Sequence, residues 1–479
     1  QTVRMGQISL DYGDSISGLL VDHEHATAYV GATLRLTQEE GVVVEVPYVL
    51  YDPTEQFSHV RRWFQSQKLP ASLVLLTSGG SIGLFENRWR SYSETYGQNF
   101  ASVGRFCPEY AVLGFMPENK LDDLKVNEVN SWIDGLNFWS PVSALHEKPI
   151  TDERGLTQSL EITTGSTSIM SWCGENATME LRTTWEGKSR CDGYRHRLFV
   201  DGNVLLVSKT DSGLVEIYEH VNEHRKFKHF MIFNFGCQLS FRRHCFRDDR
   251  FAMRSVDGST AAHPSLVEFL SSETIRERRS EIPATRKLMH PIAELDEIGA
   301  EGLEAWSLNY DEWERFILPS VNVLGRKDGL IEDSIISTCM SMEAAGVKIG
   351  SVEGEGRMGV KSGQRNIPIA ACIYRCLKLI DVKWPDRICG YEGLAKSIAD
   401  VYNSIKHADR GAFPDGLKVH VVWKVNEIIV RMLAVHIAGA GDRVFPRYRN
   451  SMELFSVDRL LSSYNCRIAC DGTWEIGVD

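Results

Sequence analysis

The most chemically loaded stretch of the 479-residue chain is Tyr402, Asn403, Ser404, Ile405, Lys406, His407, Ala408, Asp409 and Arg410. Leu394, Ile398, Val401, Ile405 and Ala408 recur at alternating spacings of four and three, which predicts a helix with a core stripe. Opposite that stripe stand Asn403, His407 and Arg410, with Lys406 beside them. An imidazole next to fixed positive charge suits phosphodiester cleavage, because the ring moves protons while a cation stabilises the phosphorane. On spacing alone a solvated basic face is the commoner reading, and both stay open.

The elements that must carry this stretch change character along the chain. Up to about residue 250, short Val/Ile/Thr/Tyr/Phe runs are punctuated by Gly, Asn and Asp and predict strands. Residues 1–150 read as a first β-rich part and 151–255 as a second sheet packed on it, with Asp201-Gly202-Asn203 as a hairpin turn. A basic, then helical, connector spans 256–320, and 321–479 reads as four helices separated by Gly- or Pro-bearing breaks. The expectation is an α+β multidomain chain: a β-rich, two-sheet N-terminal region followed by an all-α four-helix bundle.

"YNSIKHADRG" on the third of these helices resembles the signature of the HEPN superfamily, an Arg, usually a polar residue, then a His after four to six positions. "LIEDSIISTCMSMEAAG", with Glu332 and Glu343, is similar to the first HEPN helix of ApeA-like antiphage proteins, and "AVHIAGAG" to the end of their last helix. "ISLDYGDSISGLLV", "DGLNFWSPVS" and "KFKHFMIFNFGCQLSF" resemble pieces of the ApeA N-terminal region, and "GLEAWSLNYDEWERFI" its connector. The resemblance implies a cytoplasmic, metal-independent endoribonuclease acting in abortive infection, without a cofactor. Two copies would pair their motifs in a homodimer or higher homo-oligomer, under the control of a phage-derived trigger. The RNA, tRNA in this group, would be cut by its own 2′-hydroxyl, leaving a 2′,3′-cyclic phosphate. By match to the motif His407 is the acid/base and Asn403 the polar residue. The signature Arg is replaced by Tyr402, so Lys406 or Arg410 must supply the charge, with Tyr402 offering a hydroxyl, or the chain is a catalytically weakened RNA-binding or regulatory protein.

Other residues compete for attention. Arg431 and His436 have the formal Arg-x4-His spacing, but Glu427 lies one turn before Arg431 and points to a structural ion pair, with Arg431 a reserve cation facing His407. Gly354, Gly356 and Gly359 have GxGxxG spacing yet join two helices instead of following a strand, so a mobile loop is expected and a nucleotide hydrolase is a third reading. Arg357, Lys361 and Arg365 in that loop, and Arg443, Arg447 and Arg449 interleaved with Phe445 and Tyr448, are candidate RNA contacts. So are Arg242, Arg243, Arg247 and Arg250, then Arg276, Arg278 and Arg279, although charge runs are more often solvated faces. His23 and His25 read as an exposed turn.

Composition bounds the rest. A net charge of −11 argues against non-specific coating of nucleic acid while allowing a local basic surface. The 11 cysteines include no CxxC pair, so reduced thiols are expected. Cys372/Cys376 and Cys466/Cys470 are spaced to offer thiolates to a structural zinc, but burial in helices is the preferred reading and no metal is assigned. No apolar run suffices for a membrane span and the start has no secretory pattern, so a soluble chain is expected.

Overall fold

The computed structural model describes all residues other than 1–7, 9, 23–27, 51–54, 95–100, 115–122, 192, 212, 252–265, 279, 327–328, 361–365, 408, 410–411, 449–450 and 478–479. Period-two burial defines the first strands: in β2, Val30, Ala32, Leu34 and Leu36 turn inward while their neighbours face out. Strands β1 (Ser15–Val21), β2 (Val30–Thr37), β3 (Gly41–Val49), β4 (Ser72–Thr77), β5 (Gly80–Glu94) and β6 (Ala101–Leu113) pair antiparallel in the order β6-β3-β2-β1-β4-β5. β5 then returns to β6 and closes a barrel, which removes its open edges. Helix α1 (Ser58–Gln65) buries Val60, Trp63 and Phe64 in it. Phe64 lies against Gly104 of β6, where a Cβ would stand 2.3 Å from the ring.

The next strands are β7 (Lys125–Val126), β8 (Glu128–Ile133), β9 (Leu145–Thr151), β10 (Thr157–Thr164), β11 (Ser168–Cys173), β12 (Thr178–Cys191), β13 (His196–Lys209), β14 (Val215–Glu216), β15 (Phe241–Arg247) and β16 (Val267–Ser271). They do not make a second sheet packed on the first. β6 is long enough that one edge follows β5 while the other pairs with β3 and then, at Tyr110–Leu113, with β16. The sheet therefore runs on through β16-β15-β8-β13-β12-β11, twelve strands in one hydrogen-bonded surface. The expected turn at Asp201-Gly202-Asn203 is also corrected. Gly202 sits inside β13 opposite Trp185, where the Leu145 side chain comes within 2.7 Å of the space a Cβ would fill.

Helices α2 (Leu136–Trp139) and α3 (Ile217–Phe235) follow the sheet's course, then α4 (Ser272–Glu277), α5 (Thr285–Leu288), α6 (Leu295–Asn309), α7 (Glu314–Leu324), α8 (Ile331–Ile349), α9 (Ile369–Ile380), α10 (Gly390–Lys406), α11 (Gly416–Ile437), α12 (Gly441–Tyr448) and α13 (Met452–Ser463). One continuous core joins Phe230 and Phe233 of α3 to Trp306 of α6, Phe316 of α7 and the interior of α8–α11. Within α8–α11, Gly346 of α8 meets α9 so closely that a Cβ would lie 2.5 Å from the Cys372 Cα. A last hairpin, β17 (Cys466–Ile468) with β18 (Trp474–Ile476), lies on the start of α10. There Cys389 and Cys470 form a disulfide with Cα atoms 4.8 Å apart, correcting the expectation of wholly reduced thiols. Cys372 and Cys376 are fully buried on α9, and burial pushes both thiols upward, so the two CxxxC pairs do not offer four thiolates to one ion. Among the described residues no helix is long and apolar enough to cross a membrane.

Helix α3 is unusual for a buried helix in its polar content. The Ser131 hydroxyl of β8 lies 2.6 Å from His224 Nδ1 and 2.5 Å from His244 Nδ1, while His229 Nδ1 lies 2.6 Å from the Tyr310 hydroxyl. Burial, reinforced by Lys228, pushes His244 down to about 3; burial, reinforced by Lys228 and Arg225, does the same to His229. Burial, with neighbouring imidazoles, holds His224 well below its usual 6.5. These rings are neutral when folded but take a proton near 6.5 when unfolded. Their stabilisation is therefore complete above that pH and is lost as pH falls from 6.5 toward 3. Urea unfolding between pH 6.5 and 4 should show a slope that His244→Phe flattens by about 1.4 kcal/mol per pH unit.

Candidate functional site

Helix α10 buries Leu394, Ile398 and Val401 as the periodicity requires, and Ile405 is half-buried. Tyr402 is also buried, at 3% exposure, so it belongs to the core edge and not to the exposed face. Its hydroxyl nevertheless emerges far enough to accept a hydrogen bond from Lys406 Nζ at 2.7 Å, and the ammonium lies 5.1 Å from the ring centroid. The helix ends at Lys406. His407 donates its backbone N–H to Asn403 O at 2.9 Å and then turns to extended backbone at φ −122° and ψ 108°. The three-residue stripe expected on one helical face is thus corrected: Asn403 is on the last turn, His407 caps it, and Arg410 lies outside the described residues. Asn403 and His407 are both half-exposed and Lys406 is exposed, so a ligand can reach all three.

The other candidate cations do not converge on His407. Arg357 is exposed and binds Glu392 at 2.7 Å in the first turn of α10, about 22 Å along the helix from His407. The described part of its loop, up to residue 360, is held from the core: Arg375 bonds both oxygens of Glu355, and the Tyr374 hydroxyl donates to Glu353 O. Lys361, Arg365 and Arg449 fall outside the described residues, as do His23, His25 and Arg279.

Arg431 is not a reserve cation for the site. It is 3% exposed, and its guanidinium donates to the Phe233 and Asn234 carbonyls, both at 2.8 Å, at the end of α3. It lies 15 residues beyond the start of α11, the end that the α10–α11 loop joins to His407, which is about 22 Å of helix. Arg443 donates to Glu297 O and Ile298 O, and Arg447 holds the Glu297 carboxylate and Ile292 O, so both brace α12 against α6.

The basic residues of β15, Arg250 and, of the α4 region, Arg278 are likewise spent on structure, whereas Arg276 is exposed. Arg242 grips Asp134 through two nitrogens, Arg243 binds Glu186 and Glu268, Arg247 approaches Glu128 at 3.7 Å, and Arg250 holds Asp248. Arg278 reaches Asp11 and Glu268. Charged residues recur in these strands because the sheet interior and its rim contain carboxylates that need partners, which a sequence scan for basic runs cannot see. One feature went unread in the sequence: the buried histidines of α3.

Replacing Arg431 by Ala should strip the Phe233 and Asn234 carbonyls of their donor and lower stability by about 3 kcal/mol in urea unfolding. Arg357→Ala, which loses only an exposed ion pair, should change it by less than about 0.5 kcal/mol.

Comparison with known proteins sets these observations in context. The model of the family described as ApeA N-terminal domain 1 matches residues 23–307, from ahead of β2 to the body of α6. No curated protein and no solved structure matches the chain.

Proposed function

Because the chain belongs to the ApeA N-terminal domain 1 family, an antiphage defence lineage, we propose that it is a defence effector whose helices α8–α11 form a HEPN endoribonuclease. The observation that carries this reading is the contact of Lys406 Nζ with the Tyr402 hydroxyl beside half-exposed His407. Tyr402 occupies the position of the signature Arg, and Lys406 returns a fixed positive charge to it from one turn further along. Asn403, on the same turn, offers an amide to a phosphate or a 2′-hydroxyl.

The chemistry follows from these groups. A His407 imidazole takes the proton of a ribose 2′-hydroxyl as the new 2′-O–P bond forms, and the P–O5′ bond breaks as a proton is delivered to the leaving oxygen. Lys406 stabilises the charge that builds on the equatorial phosphate oxygens. One ring cannot be base and acid in the same step, so the second imidazole is His407 of a second copy in a homodimer. The products are a 2′,3′-cyclic phosphate and a 5′-hydroxyl, with tRNA the expected substrate and a phage component the expected trigger in the cytoplasm. No metal ion or cofactor enters this scheme.

A second reading, an RNA-binding protein without catalysis, is favoured by the burial of Tyr402 and the loss of the motif Arg. Incubation with total tRNA in EDTA, with and without phage lysate, separates the two. The ribonuclease reading expects cyclic-phosphate ends, a loss of about 100-fold or more in His407→Ala, and retention of cleavage in Lys406→Arg but not Lys406→Met. Intact tRNA that remains bound under every condition overturns it in favour of the binding protein.

A further inference from the structure

The β12–β13 hairpin is longer than the sheet that holds it. β11 pairs with β12 only as far as Arg182, and β8 pairs with β13 only over Leu206–Lys209. Beyond these points the two strands pair with each other out to Cys191 and His196. From Trp185 to Cys191 this is a two-stranded ribbon about 23 Å long. Every described residue from Gly187 to Phe199 is exposed. An isolated ribbon gains little stability from its own pairing, so its length is not explained by the fold.

Cross-strand partners share a face, and the register sorts the side chains sharply. One face carries Lys188 opposite Phe199 and Arg190 opposite Arg197. Its acidic members stand together at the ribbon's root, where Glu186, engaged by Arg243, faces Asp201. At the tip Tyr194 is 80% exposed with the Arg195 guanidinium 4.9 Å from its ring centroid, and Phe199 is 51% exposed. Arg190 stands directly across from Arg197, two cations side by side in a chain whose net charge is −11. Cations spaced along a narrow ribbon, with exposed aromatic rings between and beyond them, match a polyanion that also has flat faces to stack.

We propose that the outer β12–β13 ribbon is an RNA-gripping arm in which Lys188, Arg190 and Arg197 contact backbone phosphates while Tyr194 and Phe199 stack on unpaired bases. This rests on the reading of the protein as one that acts on RNA. The arm suits single-stranded loops, because an A-form duplex hides its base faces. It lies in the family-matched half of the chain, whereas the catalytic candidates lie outside it.

The test uses the full chain in a His407→Ala background, which keeps RNA uncut, and fluorescein-labelled tRNA followed by anisotropy at low and high KCl. Lys188→Glu/Arg190→Glu/Arg197→Glu should raise Kd by about 30-fold or more at low salt and lower the salt slope by about 2. Tyr194→Ala/Phe199→Ala should cost about 10-fold with the slope unchanged. Both variants should keep the parent melting temperature, since the positions are exposed. Unchanged Kd and slope in the charge-reversed variant overturn the proposal, as does an absence of tRNA binding in the parent. So does loss of self-association with tRNA binding intact, which would make the ribbon a protein-docking arm. The nuclease reading fails separately: if the chain with His407 intact leaves RNA whole while charge reversal still abolishes binding, the arm stands and catalysis does not.

Discussion

The guanidinium of Arg431 at the end of α3 is the contact on which the arrangement of the two halves depends. A helix leaves its last carbonyls without partners, and burial forbids water from satisfying them. Gly236 answers for one carbonyl: its left-handed conformation directs its N–H to Ile232 O at 2.8 Å. Arg431 answers for the next two, reaching across from α11. Gly236 is doubly required, because a Cβ there would stand 3.0 Å from the Arg431 Cζ. Asn234 completes the joint by accepting Ile292 N on its backbone oxygen and Ala293 N on its side-chain oxygen. The sheet's helix, the approach to α6 and the last helix of the α8–α11 group are thereby fixed at a single turn.

Such a joint is expensive, and the surroundings are arranged to offset it. The buried Arg431 charge has Glu453 at 3.7 Å and Glu427 at 4.0 Å as well as the two carbonyls. On the sheet side of α3, Lys226 is buried among Glu175, Glu223 and Asp311, whose charges hold its ammonium above the usual range. Each buried ion is met by oxygen from another element, so these pairs specify which elements meet more than they add stability. The histidines of α3 solve the same problem by staying neutral. Ser131 serves two rings at once, leaving His224 Nε2 and His244 Nε2 without hydrogen-bond partners.

What the sequence reveals follows from which interactions are local. The core stripe of α10 and the inward residues of β2 are set by periodicity and can be read directly. The union of β6 with β16 cannot, because pairing between residues more than 150 positions apart leaves no periodic trace. Gly202 was misread for a related reason: Asp-Gly-Asn has turn chemistry, but here the glycine admits Leu145 against the strand. Basic runs mislead most. Arg242, Arg243, Arg443 and Arg447 look like a nucleic-acid surface until their carboxylates and carbonyls, distant in sequence, are placed beside them. The ribbon shows the converse: Lys188, Arg190 and Arg197 draw no attention as a run, and become one face only through the cross-strand register.

The end of α10 is the place where local and distant constraints divide the work. Tyr402 fills the core edge as an aromatic residue should, and an Arg there would bring a charge into a position only 3% exposed. Lys406, one turn on, has the reach to place its ammonium at the surface of that same position. An ammonium is thereby held at the surface while the buried volume stays apolar, a division that a single Arg cannot make. Of the described candidate cations only Lys406 accompanies His407, since Arg357 is paired in the first turn of α10, about 22 Å along that helix, and Arg431 is held at the end of α3. Under the ribonuclease reading one chain thus supplies one imidazole and one ammonium, half of what in-line phosphoryl transfer uses. A second copy supplies the other half, and that makes association of the α8–α11 surfaces part of the chemistry.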